Sequence, residues 1–189
     1  GSYNVTVSDG NGCSSTSSAT VNEPTEPLTA YIIENNEPFC FGGTDGDIFV
    51  QEIGGTGPSY TYLWDDQTSS TWATLSGIPA GNYTATVTDA NGCVTTAMHT
   101  LGEPTEITAT IASTEPSCNG NADGTATVTG NGGTPTYNYT WSNTLDDTTS
   151  VTGLVAGTYS VTVTDVYLCT GSTTDTIIEP ALLTASITA

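Results

Sequence analysis

The chain has 189 residues, with no Lys or Arg, 20 Asp or Glu and a formal net charge of −20. Without cations it cannot neutralise phosphates, which excludes nucleic-acid binding, and it cannot attach electrostatically to anionic lipid head groups. A Lys–Asn isopeptide cross-link is impossible, and salt bridges between side chains cannot hold the fold. Only 11% of residues are charged, so Thr, Ser, Asn and Gly supply the polar surface. That is the surface of an exposed extracellular protein rather than a carboxylate-coated halophilic one. No apolar run approaches the roughly 18 residues of a membrane-spanning helix, so no membrane insertion is expected.

The chain repeats itself. Gly1-Ser2-Tyr3-Asn4-Val5-Thr6-Val7-Ser8-Asp9 returns as Gly81–Asp89 and again as Gly157–Asp165, at offsets of 80 and 76 residues. Cys13, Cys93 and Cys169 keep the same step, as do Glu23-Pro24, Glu103-Pro104 and Glu179-Pro180. A period this long, with β-type content, marks a string of similar domains. The expected divisions are residues 1–24, the C-terminal part of a repeat; 25–104 and 105–180, two complete repeats; and 181–189, the first strand of another.

In chain order, each complete repeat opens after a Glu-Pro break with an alternating Thr- and Ile-rich strand, Leu28–Ile33 and Ile107–Ile111, echoed by Leu183–Ile187. Asp45-Gly46 and Asp123-Gly124 turn the chain into a second strand, Asp47–Ile53 and Thr125–Thr129. Gly54-Gly55 and Gly132-Gly133 end it. Tyr60–Trp64 and Tyr137–Trp141 alternate as a third strand, whose Tyr137, Tyr139 and Trp141 share one face. Polar stretches follow, then a short strand ending near Leu75 and Val151, the Gly-x-Tyr strand, and a closing strand over 93–101 and 169–178. Six or seven short strands in about 78 residues, with no helical periodicity, predict an all-β chain of tandem small antiparallel β-sandwiches, immunoglobulin-like in the broad sense. Trp64 and Trp141 are expected to fill the cores, and Tyr83 and Tyr159 to occupy the tyrosine-corner position.

Each complete repeat holds two cysteines, Cys40 with Cys93 and Cys118 with Cys169. One disulfide per repeat is expected, Cys40–Cys93 and Cys118–Cys169, with Cys13 left over. Closing loops of 53 and 51 residues contributes roughly 4 kcal/mol each in the chain-entropy model. Disulfides place the chain outside the cytosol. The CxxC spacing of metal sites is absent, and His99 is the only histidine, so no nucleophile–base set recurs in the repeats and no enzyme is expected.

Residues Pro116-Ser117-Cys118-Asn119-Gly120, Gly132-Gly133-Thr134-Pro135, Tyr139-Thr140-Trp141 and Leu154–Asp165 resemble the SprB-type repeat of very large cell-surface adhesins of gliding bacteria. Residues 25–104 match with departures at Phe39-Cys40-Phe41. In the second repeat Val166-Tyr167-Leu168 replaces the usual Asn-Gly turn. The resemblance implies export by the type IX secretion system, a filament at the cell surface, and a role in adhesion or gliding motility; it brings no catalytic residues.

The expected function is therefore a structural and adhesive module of a long extracellular fibre. Its partners would be neighbouring repeats of the same chain, surface glycans, or laterally associated filaments. Two alternatives come from other classes. Trp72, which has no aromatic counterpart in the next repeat, is a sugar-stacking candidate and would suit a carbohydrate-binding module of a secreted enzyme. Asp45, Asp47 and Asp89, with Asp123 and Asp165 at matching places, are candidate Ca²⁺ ligands of a metal-stiffened extender domain, if the Cys40–Cys93 bond gathers their loops; as turn formers they need no metal, and no other cofactor is expected. Thr148 and Thr176 follow Asp in the pattern of O-glycosylation acceptors of exported proteins.

Overall fold

The computed structural model describes residues 1–142 and 148–187. Fourteen strands and no helix form among them. The first two, β1 (Ser2–Ser8) and β2 (Ser14–Thr20), make a two-stranded antiparallel hairpin in register from Ser2↔Thr20 to Ser8↔Ser14. Tyr3, Val5 and Val7 on it are exposed.

The next six are β3 (Thr29–Asn36), β4 (Gly46–Ile53), β5 (Thr61–Trp64), β6 (Thr74–Ile78), β7 (Gly81–Thr88) and β8 (Val94–Leu101). They form two three-stranded sheets, in the orders β3-β4-β6 and β5-β7-β8. The last six repeat them: β9 (Thr108–Thr114), β10 (Gly124–Asn131), β11 (Asn138–Trp141), β12 (Ser150–Leu154), β13 (Gly157–Thr164) and β14 (Thr170–Ile177), in the orders β12-β10-β9 and β11-β13-β14. The pairings on β13 are antiparallel, with Trp141↔Val161 and Thr164↔Thr170 in register. The expected all-β, two-sheet, immunoglobulin-like arrangement is what the chain adopts. The expected closing strand ends at Ile177 rather than Ile178, and Leu183–Ile187, expected as a strand, has none. β3 and β9 each pair with the strand that follows them, and among the described residues no strand follows Leu183–Ile187.

The chain divides into two compact units: Gly1–Glu34, Ile48–Leu75 and Asn82–Thr100 in one, and Asn35–Asp47, Ser76–Gly81 and Leu101–Ala189 in the other. In the first, Ile48, Val50, Trp64, Ala85 and Val87 are buried. In the second, Ala126, Val128, Trp141, Tyr159, Val161 and Val163 are the matching core. The period of two explains both. On β13, Tyr159, Val161 and Val163 point inward and the intervening Ser160 and Thr162 do not. Tyr137 and Tyr139 pack against the Trp141 core as their shared parity predicts, with rings edge-to-face at 6.4 Å.

Each buried indole has a fixed partner. Trp64 Nε1 donates to the Trp72 carbonyl at 2.8 Å, and Trp141 Nε1 to the Thr148 carbonyl at 2.9 Å. Tyr159 donates its hydroxyl to the Val155 carbonyl at 3.0 Å, making the expected tyrosine corner. The short strand runs further than its sequence suggests. Gly77 and Gly153 take φ of +72° and +74° inside β6 and β12, and the β10–β12 register shifts beside Gly153. This β-bulge turns residues three apart to the same side, so Val151 and Leu154 are both buried.

Candidate functional site

The residues that carry chemistry sit at the ends of the strands. After β7, Asp89 is buried and its carboxylate closes the loop to β8. Oδ2 accepts the Thr56 amide at 2.8 Å, and Oδ1 accepts the amides of Asn91 at 2.9 Å and Cys93 at 2.8 Å. These donors, Thr56 foremost, hold its carboxyl below the usual carboxylate range against the opposing effect of burial. Asp165 repeats the device, accepting from Thr134 at 2.8 Å, Tyr167 at 2.9 Å and Cys169 at 3.0 Å. Asp9 does so in the hairpin, with Asn11 and Cys13.

Leu168 stands where Gly12 and Gly92 complete this turn. Both glycines take φ of +84°, and Leu168 takes +67°. The replacement of Asn-Gly by Tyr167-Leu168 therefore keeps the turn, with a leucine in the left-handed region that L side chains avoid.

At the other end of the strands, Asp123 accepts the Ser117 amide at 2.9 Å and its hydroxyl at 2.6 Å, which lower its carboxyl pKa, the hydroxyl most. Asp45 accepts the Phe39 amide at 3.3 Å. Asp47 accepts Asn36 Nδ2 at 3.0 Å. Asp47 lies at the start of β4, whereas Thr56, which holds Asp89, follows its end. Eight strand residues, about 26 Å, separate the two places, so the expected gathering of Asp45 and Asp47 with Asp89 does not occur. Among the described residues no three His, Cys, Asp or Glu come together in a metal-binding group.

The expected cysteine pairing is corrected. Cys40 is bonded to Cys169, 129 residues away, with a Cα–Cα distance of 5.5 Å. Cys13, Cys93 and Cys118 are free and exposed. Cys40–Cys93 fails because β8 lies between their positions. The loop that carries Cys40 reaches the end of β8, where a Cβ on Gly46 would meet Leu101 at 2.7 Å. Cys93 precedes the start of β8, about 26 Å away along eight residues, far beyond the 7 Å a disulfide spans. Cys118–Cys169 fails likewise. Gly120 N–H donates to Glu179 beyond the end of β14 at 2.8 Å, and Cys169 precedes its start.

Around the bond, Phe39 stacks on Tyr167 with ring centroids 4.8 Å apart. The Phe39 carbonyl oxygen lies 3.3 Å from Cys169 Sγ, and Gly42 N–H donates to Glu103 at 2.6 Å. Sequence reasoning missed Phe39 and Tyr167; both are departures from the repeat's usual residues, and that coincidence was the available signal.

Trp72 is 78% exposed, and it is its carbonyl, not its indole, that serves the core. Thr148 plays the same backbone part for Trp141 and is exposed; the Asp147 before it lies outside the described residues. Thr176 is exposed on β14, 3.3 Å from the Thr158 hydroxyl. His99 Nε2 pairs with Glu34 at 3.0 Å.

The model of the SprB repeat matches residues 36–69 and 110–145, one stretch in each of the matching six-strand sets. SprB repeats occur in cell-surface adhesins. No curated protein matches the chain. Among solved structures it is similar to the C-terminal 282-residue fragment of intimin, with 16% identity over 82% of this chain and a TM-score of 0.39. It spans 64% of that fragment, somewhat under two thirds. The mouse nectin-like molecule 4 ectodomain shows 10% identity over 84% of this chain and 67% of its own, at 0.37. A tetra-tandem repeat from the extending region of a large adhesion protein shows 13% identity over 93% and 55%, at 0.28. No helix among the described residues is long and apolar enough to cross a membrane.

Proposed function

We propose that the chain is a non-enzymatic structural and adhesive module of a long extracellular fibre at the cell surface. The observation that carries this reading is the duplication of one sandwich under two SprB matches, down to the same buried Trp and the same Asp-closed turn. A catalytic site needs a unique constellation; here the polar groups that recur are taken up by backbone amides. The repeat's resemblance supplies the finer parts of the proposal, export by the type IX system and service in gliding or attachment.

The test is surface labelling. Antibody raised against the chain should stain intact cells of the producing organism and trace filaments in electron micrographs. Staining only after lysis would overturn the reading.

The carbohydrate-binding alternative rests on one observation, the exposed indole of Trp72. Binding of the chain to a glycan array that disappears in Trp72→Ala would favour it. Equal behaviour of parent and variant would leave the fibre reading in place.

A further inference from the structure

We propose that Cys40–Cys169 is one instance of a recurring covalent junction, in which the opening cysteine of each SprB repeat bonds to the closing cysteine of the repeat that follows it, so that Cys118 and Cys93 are two unjoined halves of the same junction. Under this rule the partners of Cys13, Cys93 and Cys118 fall at numbers outside 1–189.

The formed junction shows what each half looks like. Cys40 and Phe41 meet Thr105–Ile107, Gly133 and Cys169 around one hollow. The chain also holds the opening half alone. There Cys118, flanked by Ser117 and Asn119, borders a hollow against Pro180–Leu183, the positions that match 104–107. Gly120 N–H donates to Glu179 as Gly42 N–H donates to Glu103, and Asn119 Nδ2 adds a bond to the Pro180 carbonyl at 3.1 Å. The loop is thus set in the posture of the bonded Cys40 loop.

The closing half also stands alone. Cys93 and Val94 border a hollow with Pro27, Leu28 and Gly55, which match Cys169, Thr170, Glu106, Ile107 and Gly133. Its amide is fixed on Asp89 as that of Cys169 is on Asp165. Exposure separates the made half from the unmade ones: Cys169 is 8% exposed, whereas Cys93 and Cys118 are both exposed. Leu183, at the place of the buried Ile107, is 95% exposed. The hollows at Cys93 and Cys118 are complementary fragments of the hollow at Cys40–Cys169.

The two junctions would differ in one respect. Ser117 and Asn91 stand where Phe39 stacks on Tyr167, so a Cys118–Cys93 junction is flanked by a polar pair.

Forming the bond needs a two-electron oxidant, here a small-molecule disulfide such as oxidised glutathione. The Cys118 thiolate attacks it and releases one thiolate. The Cys93 thiolate then attacks the mixed disulfide and releases the second. Two protein thiols become one disulfide as the small disulfide becomes two thiols.

The experiment extends the chain in its own register: residues 1–180 followed directly by residues 25–189, refolded in a glutathione redox buffer and mapped without reduction after cleavage at Asp and Glu. The parent has three free thiols among five cysteines. The extended chain has nine cysteines and should again show three free thiols, with a cross-linked peptide joining Cys118 of the first copy to Cys93 of the second. Cys93→Ser in the second copy alone should leave Cys118 of the first copy free and both Cys40–Cys169 bonds intact. Five free thiols with those two bonds intact would overturn the proposal, as would Cys118 bonded to Cys169 of its own copy. If the Cys40–Cys169 bonds are themselves missing, the junction rule falls with them.

Discussion

Replacing Trp141 by Ala tests the core register and its energetics together. The indole is 3% exposed at the centre of the second core. Truncation of such a side chain costs about 3–5 kcal/mol through lost transfer energy and the cavity left behind. The hydrogen bond to the Thr148 carbonyl adds little, about 1 kcal/mol or less, because Thr148 is exposed and its carbonyl turns to water. A sandwich of about 80 residues has roughly 4–12 kcal/mol to lose, so the variant should sit near or below its folding threshold. Hydrogen exchange reads this strand by strand. At about 4 kcal/mol, amide protection on β13 should fall by roughly a thousandfold. β7, packed around Trp64, should keep its protection. Trp141→Phe, which loses the hydrogen bond but retains most of the apolar contact, should lower β13 protection far less. Unchanged β13 protection in the Ala variant would mean that the indole does not fill the core and that the inward register of β11 is wrong.

The disulfide gives a second contrast. Cys169→Ser opens a loop of 129 residues, worth about 5 kcal/mol in the chain-entropy model, and should lower the urea midpoint to that of the reduced parent, whereas Cys93→Ser, at a free exposed thiol, should leave it unchanged. Leu168→Gly should stabilise the fold by about 1 kcal/mol in urea unfolding, since Leu168 is 79% exposed, touches little, and holds a φ of +67° that costs a leucine 1–2 kcal/mol. Asp89 makes stability depend on acid: its folded pKa is depressed, so its contribution is fully present above the unfolded value of about 3.9 and is lost as pH falls through the folded value. Urea midpoints measured from pH 6 to pH 2 should decline below about pH 4 in the parent, and the decline should be shallower in Asp89→Asn.

What could be read from the sequence was whatever depends on alternation. Tyr159, Val161 and Val163 point inward because a strand has a period of two, and Trp64 and Trp141 recur because each core needs its centre filled. The tyrosine corner followed from a Gly two residues before Tyr159. Features set by the third dimension were harder. Counting two cysteines per repeat suggested a bond within it, yet Cys40 follows the end of a first strand and Cys93 precedes the start of a last one; tracing strand directions places them at opposite ends. The bulge at Gly153 is invisible to a count of alternating residues because it consists of breaking the count. Leu168 in a glycine's conformation could not be read from its type, since the buried Asp165 carboxylate and the amides it binds fix that turn. The carboxylate candidates were legible as turn formers and not as a cluster, for their grouping rested on the disulfide that does not form.

The Cys40–Cys169 bond also governs how the chain answers a pull on its ends. Force entering before Cys40 and leaving after Cys169 crosses the sulfur bridge and bypasses the 129 residue steps between them. About 440 Å of contour length, at 3.4 Å per residue, is thereby unavailable for extension, whatever becomes of the hydrogen bonds of β4 to β13. The inner strands are relieved of tension while the bridge is intact, and only the flanking segments can lengthen. A reductant would act on such a chain as a mechanical release, turning a short tether into a long one without cutting the backbone.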